Sequence, residues 1–147
     1  MIESVIFDWK RTLYSPEDRE LIAGANELLS KLGETSIKLY LVGKDKTGDM
    51  PEEVERLGVA HHFDEIHFVR DGKSDDDIGR YIDHNHPERS MVVGDRVRSE
   101  IEVGNRLGAI TIQVKQGIFA DELPETDIQK PNHIVETLQE VYARIVD

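Results

Sequence analysis

Five short apolar runs punctuate the chain: SVIFD at 4–8, IKLYLV at 37–42, EIHFV at 65–69, SMVVGD at 90–95 and AITIQV at 109–114. The runs are nearly continuous rather than alternating, as strands buried on both faces are. Between them the apolar residues change to a three-to-four spacing. Leu21, Ile22, Ala25, Leu28, Leu29 and Leu32 mark a helix over 18–32, with Gly33 as its stop. Pro51 suits the first turn of a helix over 50–57 that Gly58 ends. Ser74 can cap a helix over 75–83, with Asp75, Asp76 and Asp77 in the first turn where the helix dipole favours acids. A helix over 97–107 stops at Gly108, and a last one over 134–146 carries Ile134, Leu138, Val141 and Ile145 on one face. Strands alternating with helices imply an α/β fold: a three-layer architecture with a parallel sheet covered on both sides. No repeat, low-complexity segment or linker divides the sequence, so residues 1–147 read as one domain.

Charge narrows the partners. Thirty Asp and Glu against eighteen Lys and Arg leave a formal net charge of −12. A general nucleic-acid binder needs a basic face to displace counterions, and adhesion to anionic lipid needs the same. Both classes are disfavoured. There is no cysteine, which excludes disulfides and thiolate chemistry. No stretch approaches the roughly 18 apolar residues of a membrane span, and no signal peptide is visible. The cytoplasm is the expected compartment.

In open parallel sheets, ligands bind beyond the carboxyl ends of the strands, where the strand order reverses. Four segments qualify here: Asp8 to Thr12, Gly43 to Lys46, Arg70 to Lys73 and Gly94 to Glu100. Together they carry Asp8, Asp95, Glu100 and Lys73. Carboxylates and a lysine converging on one crevice can hold a divalent cation together with an anion. Mg²⁺ takes oxygen ligands and keeps several waters. Lys73 could bind a second phosphoryl oxygen, leaving the Asp8 carboxylate to attack. Other candidates are weaker. His61, His62, His67, His84 and His86 lack a zinc-ligand spacing. Trp9 alternates away from Asp8 along the strand and reads as packing. A phospho-acceptor receiver domain would need paired acids ahead of its acceptor strand, which Met1 to Ile6 do not supply.

The order and spacing of these segments resemble the haloacid dehalogenase superfamily of phosphohydrolases, whose core is Rossmann-like. The family's first motif, Asp-x-Asp-Gly-Thr, corresponds to Asp8-Trp9-Lys10-Arg11-Thr12. Its second, an apolar strand ending in Ser or Thr, corresponds to LYLV and Gly43. Its isolated lysine corresponds to Lys73, and its Gly-Asp with a second acid to Gly94-Asp95 and Glu100. The resemblance implies that Asp8 is nucleophile and metal ligand, that the Lys10 backbone carbonyl and Asp95 complete the metal set, and that Glu100 supports it. It implies that Lys73 and Thr12 steady the nucleophile, and that Gly43, Lys44 and Lys73 face the phosphate. The intervals 13–36 and 44–72 are too short for a large cap domain. A capless, open site suits a large or macromolecular phosphorylated substrate, or a cap lent by a second copy in a homo-oligomer.

Three positions depart from the motifs. Lys10 stands where the family's second Asp protonates the leaving group, and lysine, with a reference pKa of about 10.4, cannot copy that role. Arg11 replaces a glycine, adding bulk and charge, and Gly43 replaces a hydroxyl residue. Two readings therefore remain. One is a slow or atypical Mg²⁺-dependent phosphatase using Asp8. The other is an inactive binding or regulatory protein in which Lys10 pairs with Asp8, Asp95 or Glu100 and takes the place of the metal.

Overall fold

The computed structural model describes residues 1–146. In chain order the elements are β1 (Ser4–Phe7), a small hairpin of β2 (Tyr14–Ser15) and β3 (Glu20–Leu21), α1 (Ala25–Gly33), β4 (Lys38–Lys44), α2 (Met50–Arg56), β5 (Glu65–Val69), α3 (Asp75–Gly79), β6 (Ser90–Gly94), α4 (Glu102–Arg106), β7 (Ile110–Val114), β8 (His133–Val135) and α5 (Leu138–Ile145). Six strands form one parallel sheet in the order β5-β4-β1-β6-β7-β8. The chain runs from β1 to β4 and β5 on one side, then returns to β6, β7 and β8 on the other. The order therefore reverses between β1 and β6, and the residues that follow those two strands share the crevice.

Strand alternation builds three layers. Val5 and Phe7 of β1 point to one face, with Leu39, Leu41, Met91 and Val93, and meet the apolar sides of α1, α2 and α5. Ile6, Val42 and Val92 point to the other, where Ile78, Ile82 and Val103 cover them. Every one of these side chains is almost wholly buried, and each contributes about 1.5–3 kcal/mol through removal of apolar surface from water. The observed α/β sheet has no large inserted cap among the described residues. No helix is long and apolar enough to cross a membrane.

Four expected helices are shorter than the apolar spacing implied. Residues 18–24 are not helical: Arg19 and Gly24 adopt positive φ, 55° and 89°, which a right-handed helix cannot contain. Leu21 joins the hairpin instead, and α1 starts at Ala25. The segment 75–83 holds α-helix only to Gly79 and continues as tighter turns, with Tyr81 and Ile82 donating to residues three back. Its expected start is present: Ser74 Oγ accepts from the Asp77 N–H at 3.3 Å, and the Asp77 carboxylate accepts from the Ser74 N–H at 2.8 Å. The segment 97–107 is broken at Ser99 (φ −123°, ψ −111°), leaving a widened turn over Val97–Ile101 before α4. The last expected helix splits. Residues 133–135 pair in parallel with Ile112–Val114, so Ile134 belongs to an edge strand and is half exposed, while Leu138, Val141 and Ile145 form the buried face of α5.

Candidate active site

Asp8 continues β1 past its last strand residue. Its N–H donates to the Val93 carbonyl of β6 at 3.0 Å, so the backbone is held in the sheet while the side chain leaves it. The next residues fold into a tight loop on the Trp9 carbonyl, which accepts from the N–H groups of Thr12, Leu13 and Tyr14 at 3.3, 2.9 and 2.9 Å. Trp9 is fully buried and stacks on Tyr14, with ring centroids 5.0 Å apart, so its role is packing. The loop returns Thr12 to the acid: Thr12 Oγ1 donates to Asp8 Oδ2 at 3.2 Å. Arg11, where the resembling motif has glycine, takes the left-handed conformation that glycine would favour, φ 62°.

Lys73 arrives from the loop before α3. Its side chain is 5% exposed; its ammonium bonds Asp8 Oδ1 and lies 3.1 Å from Glu100 Oε2. Glu100 comes from the widened turn after β6 and folds back over the strand end. Its Oε1 accepts from the N–H groups of Asp95 and Arg96 at 3.1 and 3.2 Å. This reach explains Gly94. A Cβ there would lie 2.2 Å from the Glu100 side chain, so only glycine lets the carboxylate close on the strand end.

Asp8, Asp95 and Glu100 thus form one buried cluster whose oxygens lie within 4.8 Å of one another. Its electrostatics are uneven. Burial opposes the charge on Asp8, yet the Lys73 charge and hydrogen bonds from Asp95, Lys73 and the Trp9 backbone outweigh it and lower the pKa. Burial likewise works against the Lys73 ammonium, but Asp8 and Glu100 raise its pKa well above the usual lysine value. Asp95 goes the other way: burial first, then repulsion from Asp8 and Glu100, push it up to about 10. Three carboxylates share one lysine. A hard divalent cation supplies the charge such a set lacks, and oxygen is the donor it prefers, so the residues fit Mg²⁺.

The Lys10 ion pair of the second reading does not form among the described residues. Lys10 is half-buried on the wall of the cleft and forms no ion pair among the described residues; the amine that meets Asp8 and Glu100 is that of Lys73. The lysine between the two acids is thus supplied from a loop 65 residues away, while Lys10 leaves the cluster. Gly43 does not line the cleft. A Cβ at that position would lie 2.6 Å from the Phe68 ring and 3.0 Å from Trp9 Cβ, so two side chains occupy the room that Ser or Thr would need. Lys44, the next residue, is exposed and does line the cleft. Thr47 lines it too, but its hydroxyl faces Asp45 Oδ1 at 3.4 Å.

Above the cluster lies an open cleft of about 480 Å³. Its walls include Lys46, which ends one of the strand-end segments, and Arg96, Arg98 and Phe119, which the sequence did not single out by name. Arg96 and Arg98 sit inside the GDRVRSE segment, where only the acids stood out. Phe119 follows β7 in a short turn with no periodic pattern to mark it. Its ring carries the Arg96 guanidinium at 4.0 Å and that of Arg11 at 5.7 Å.

A family model described as HAD-hydrolase-like matches residues 42–141, and the chain belongs to that family. It is 25% identical over 126 residues to a glyceraldehyde 3-phosphate phosphatase of Methanopyrus kandleri, covering 77% of this chain and 54% of that protein. The chain therefore spans about half the length of the curated relative it matches. Among solved structures, a haloacid dehalogenase-like family hydrolase from Xanthomonas campestris superposes with a TM-score of 0.78 at 16% identity, over 98% of this chain and 94% of that one. A magnesium-bound HAD-family protein of Bacillus subtilis superposes with a TM-score of 0.73 at 20% identity, over 88% of this chain and 57% of that one. The first likeness spans nearly all of a chain of similar size, in keeping with a core that lacks a large cap.

Proposed function

We propose that this chain is a slow Mg²⁺-dependent phosphohydrolase that uses Asp8 as its nucleophile. The observation that carries the reading is the setting of Asp8. Its carboxylate meets the Lys73 ammonium, is fixed in orientation by Thr12 and Lys73, and lines an open cleft. A divalent cation held by Asp8 and Asp95, with Glu100 in support, would neutralise charge on the phosphoryl oxygens. The Lys10 carbonyl is the remaining candidate ligand, and Lys44, which lines the same cleft, is the candidate to meet the phosphate.

In this reading an Asp8 oxygen attacks phosphorus, the ester oxygen departs, and water then cleaves the acyl phosphate to return the carboxylate and release phosphate. Lys73 fixes the attacking group and offsets its charge throughout. What the site lacks is a proton donor for the departing oxygen. Lys10 occupies the relevant place in the loop and is a poor general acid, and such help is typically worth about 10²–10⁴-fold. Slow turnover follows. Similarity to a glyceraldehyde 3-phosphate phosphatase supports a phosphate ester as the substrate.

The alternative is a non-catalytic binding protein. It is favoured by Gly43, where Phe68 and Trp9 fill the space a phosphate-binding hydroxyl would use. A panel of phosphate esters assayed with Mg²⁺ separates the two. Turnover that vanishes in Asp8→Asn supports the enzyme. No turnover on any ester, or turnover that persists in Asp8→Asn, rejects it. Lys10→Asp is expected to raise the rate by about 10²–10⁴-fold by restoring the acid.

A further inference from the structure

The cleft inverts the charge of the molecule. Seven of the eighteen Lys and Arg residues line it, with only three of the thirty Asp and Glu. Lys73 is spent on Asp8 and Glu100 at the floor, and the other six, Lys10, Arg11, Lys44, Lys46, Arg96 and Arg98, form the walls. Lys10, Lys44 and Lys46 form no ion pair or side-chain hydrogen bond among the described residues. The three arginines are steadied from outside: Arg11 by Glu17 at 2.9 Å, Arg96 by Glu122 at 3.1 Å, and Arg98 by Glu125. Arg11 and Arg96 also share the Phe119 ring, and the buried Nε of each has no partner. The lining therefore combines three ammonium groups without partners and three guanidinium groups steadied by carboxylates, donors suited to phosphate oxygens.

One phosphoryl group over Asp8 does not account for six wall cations. Lys10, Lys44 and Lys46, gathered in a cleft without carboxylate partners, repel one another and are stabilised by an anion placed among them. The electrostatics outside the cleft bound the size of that anion. Beyond it, acids outnumber bases by more than two to one. At physiological salt the screening length is about 8 Å, so a polymer leaving the cleft would run along a repelling surface. The volume of about 480 Å³ lies in the range of small-molecule sites.

Resting on the phosphohydrolase reading, we propose that the substrate is a small molecule carrying at least two phosphate groups: one faces Asp8, and the other is held by the unpaired lysines and the arginines that line the same cleft.

The test is a binding measurement that needs no turnover. The purified protein is titrated calorimetrically with inorganic phosphate and with methylenediphosphonate, in metal-free buffer at fixed ionic strength. The diphosphonate is expected to bind at least tenfold more tightly. In a Lys46→Ala/Arg98→Ala variant, whose substitutions lie at exposed positions, that ratio is expected to fall at least fivefold. Equal affinities, or a ratio unchanged in the variant, overturn the proposal. A short single-stranded oligonucleotide that binds as tightly as the diphosphonate overturns it in favour of a polymer. Diphosphonate preference without turnover of any ester would reject the phosphohydrolase reading, and with it the claim of a substrate, leaving a site that only binds paired phosphates; ester turnover with equal affinities would support that reading and overturn this proposal.

Discussion

Two buried carboxylate clusters lie in this protein, and they are in opposite electrostatic states. Glu53 of α2 is one acid among several donors. Arg56 holds it at 2.7 and 2.9 Å, the Tyr14 hydroxyl donates to it at 2.6 Å, and Arg19 reaches it at 3.3 Å. These bonds, Arg56 first and Tyr14 next, bring its pKa down to about 2. The Asp8–Asp95–Glu100 cluster has three acids for one lysine, and Asp95 is pushed up to about 10. The first cluster is complete within the chain and ties the β2–β3 hairpin to α2. The second is left short of positive charge, which is how a site that recruits a cation differs from one that only holds a fold together.

The contrast is open to direct attack, beginning with the largest effect. Asp8→Asn removes the nucleophile from the charge-deficient cluster and is expected to lower phosphatase turnover by on the order of 10⁴-fold or more, measured as phosphate release. It should also lower the melting temperature of the metal-free protein, because the amide takes from the buried Lys73 ammonium the charge that holds the Asp8 pKa down. Glu53→Gln should separate stability from turnover. It leaves turnover in place, lowers the melting temperature, and removes part of the acid limb of stability. Because the folded pKa of Glu53 lies below its ordinary value of 4.5, its contribution is full above about pH 4.5 and is lost as pH falls toward 2. Acid denaturation followed by circular dichroism reads that window. If Glu53→Gln left it unchanged, the two clusters would not differ as described.

Asp95→Asn tests the other sign. A carboxyl raised from 3.8 to about 10 binds a proton that the unfolded chain releases, so metal-free stability declines as pH rises through that interval. The amide removes that decline. It is expected to raise the metal-free melting temperature at neutral pH by about 3 °C, equivalent to about 1 kcal/mol, while abolishing any increase caused by added Mg²⁺. A melting temperature that fell in Asp95→Asn, or a Mg²⁺ response that survived it, would place the frustration elsewhere. Smallest is Tyr14→Phe, which deletes one of the bonds to Glu53 at 2.6 Å and should cost about 1 kcal/mol by chemical denaturation without altering turnover.

The position of Gly43 shows how a departure that looks like loss has a packing cause. In sequence it is a missing hydroxyl. In the structure the Phe68 ring and Trp9 close the space, so the glycine and the aromatic side chains are one solution. Arg11 shows the same coupling: its positive φ keeps the backbone path of a glycine while its guanidinium joins the Phe119 wall.

The sequence alone determined the layers and the strand ends. Five apolar runs gave β1, β4, β5, β6 and β7, since burial on both faces leaves a continuous local pattern. The spacing of Asp8, Lys73, Asp95 and Glu100 after those runs was equally local. The short strand β8 and the hairpin after Thr12 were hidden, because two or three residues carry no period and positive φ at Arg19 leaves no mark in composition. Only the tertiary structure decided that Lys10 stays out of the acid cluster, why residue 43 has no side chain, and that six scattered cations share one cleft. Those are relations between residues tens of positions apart. They are set by how the sheet brings its strand ends together, and no local window of sequence contains them.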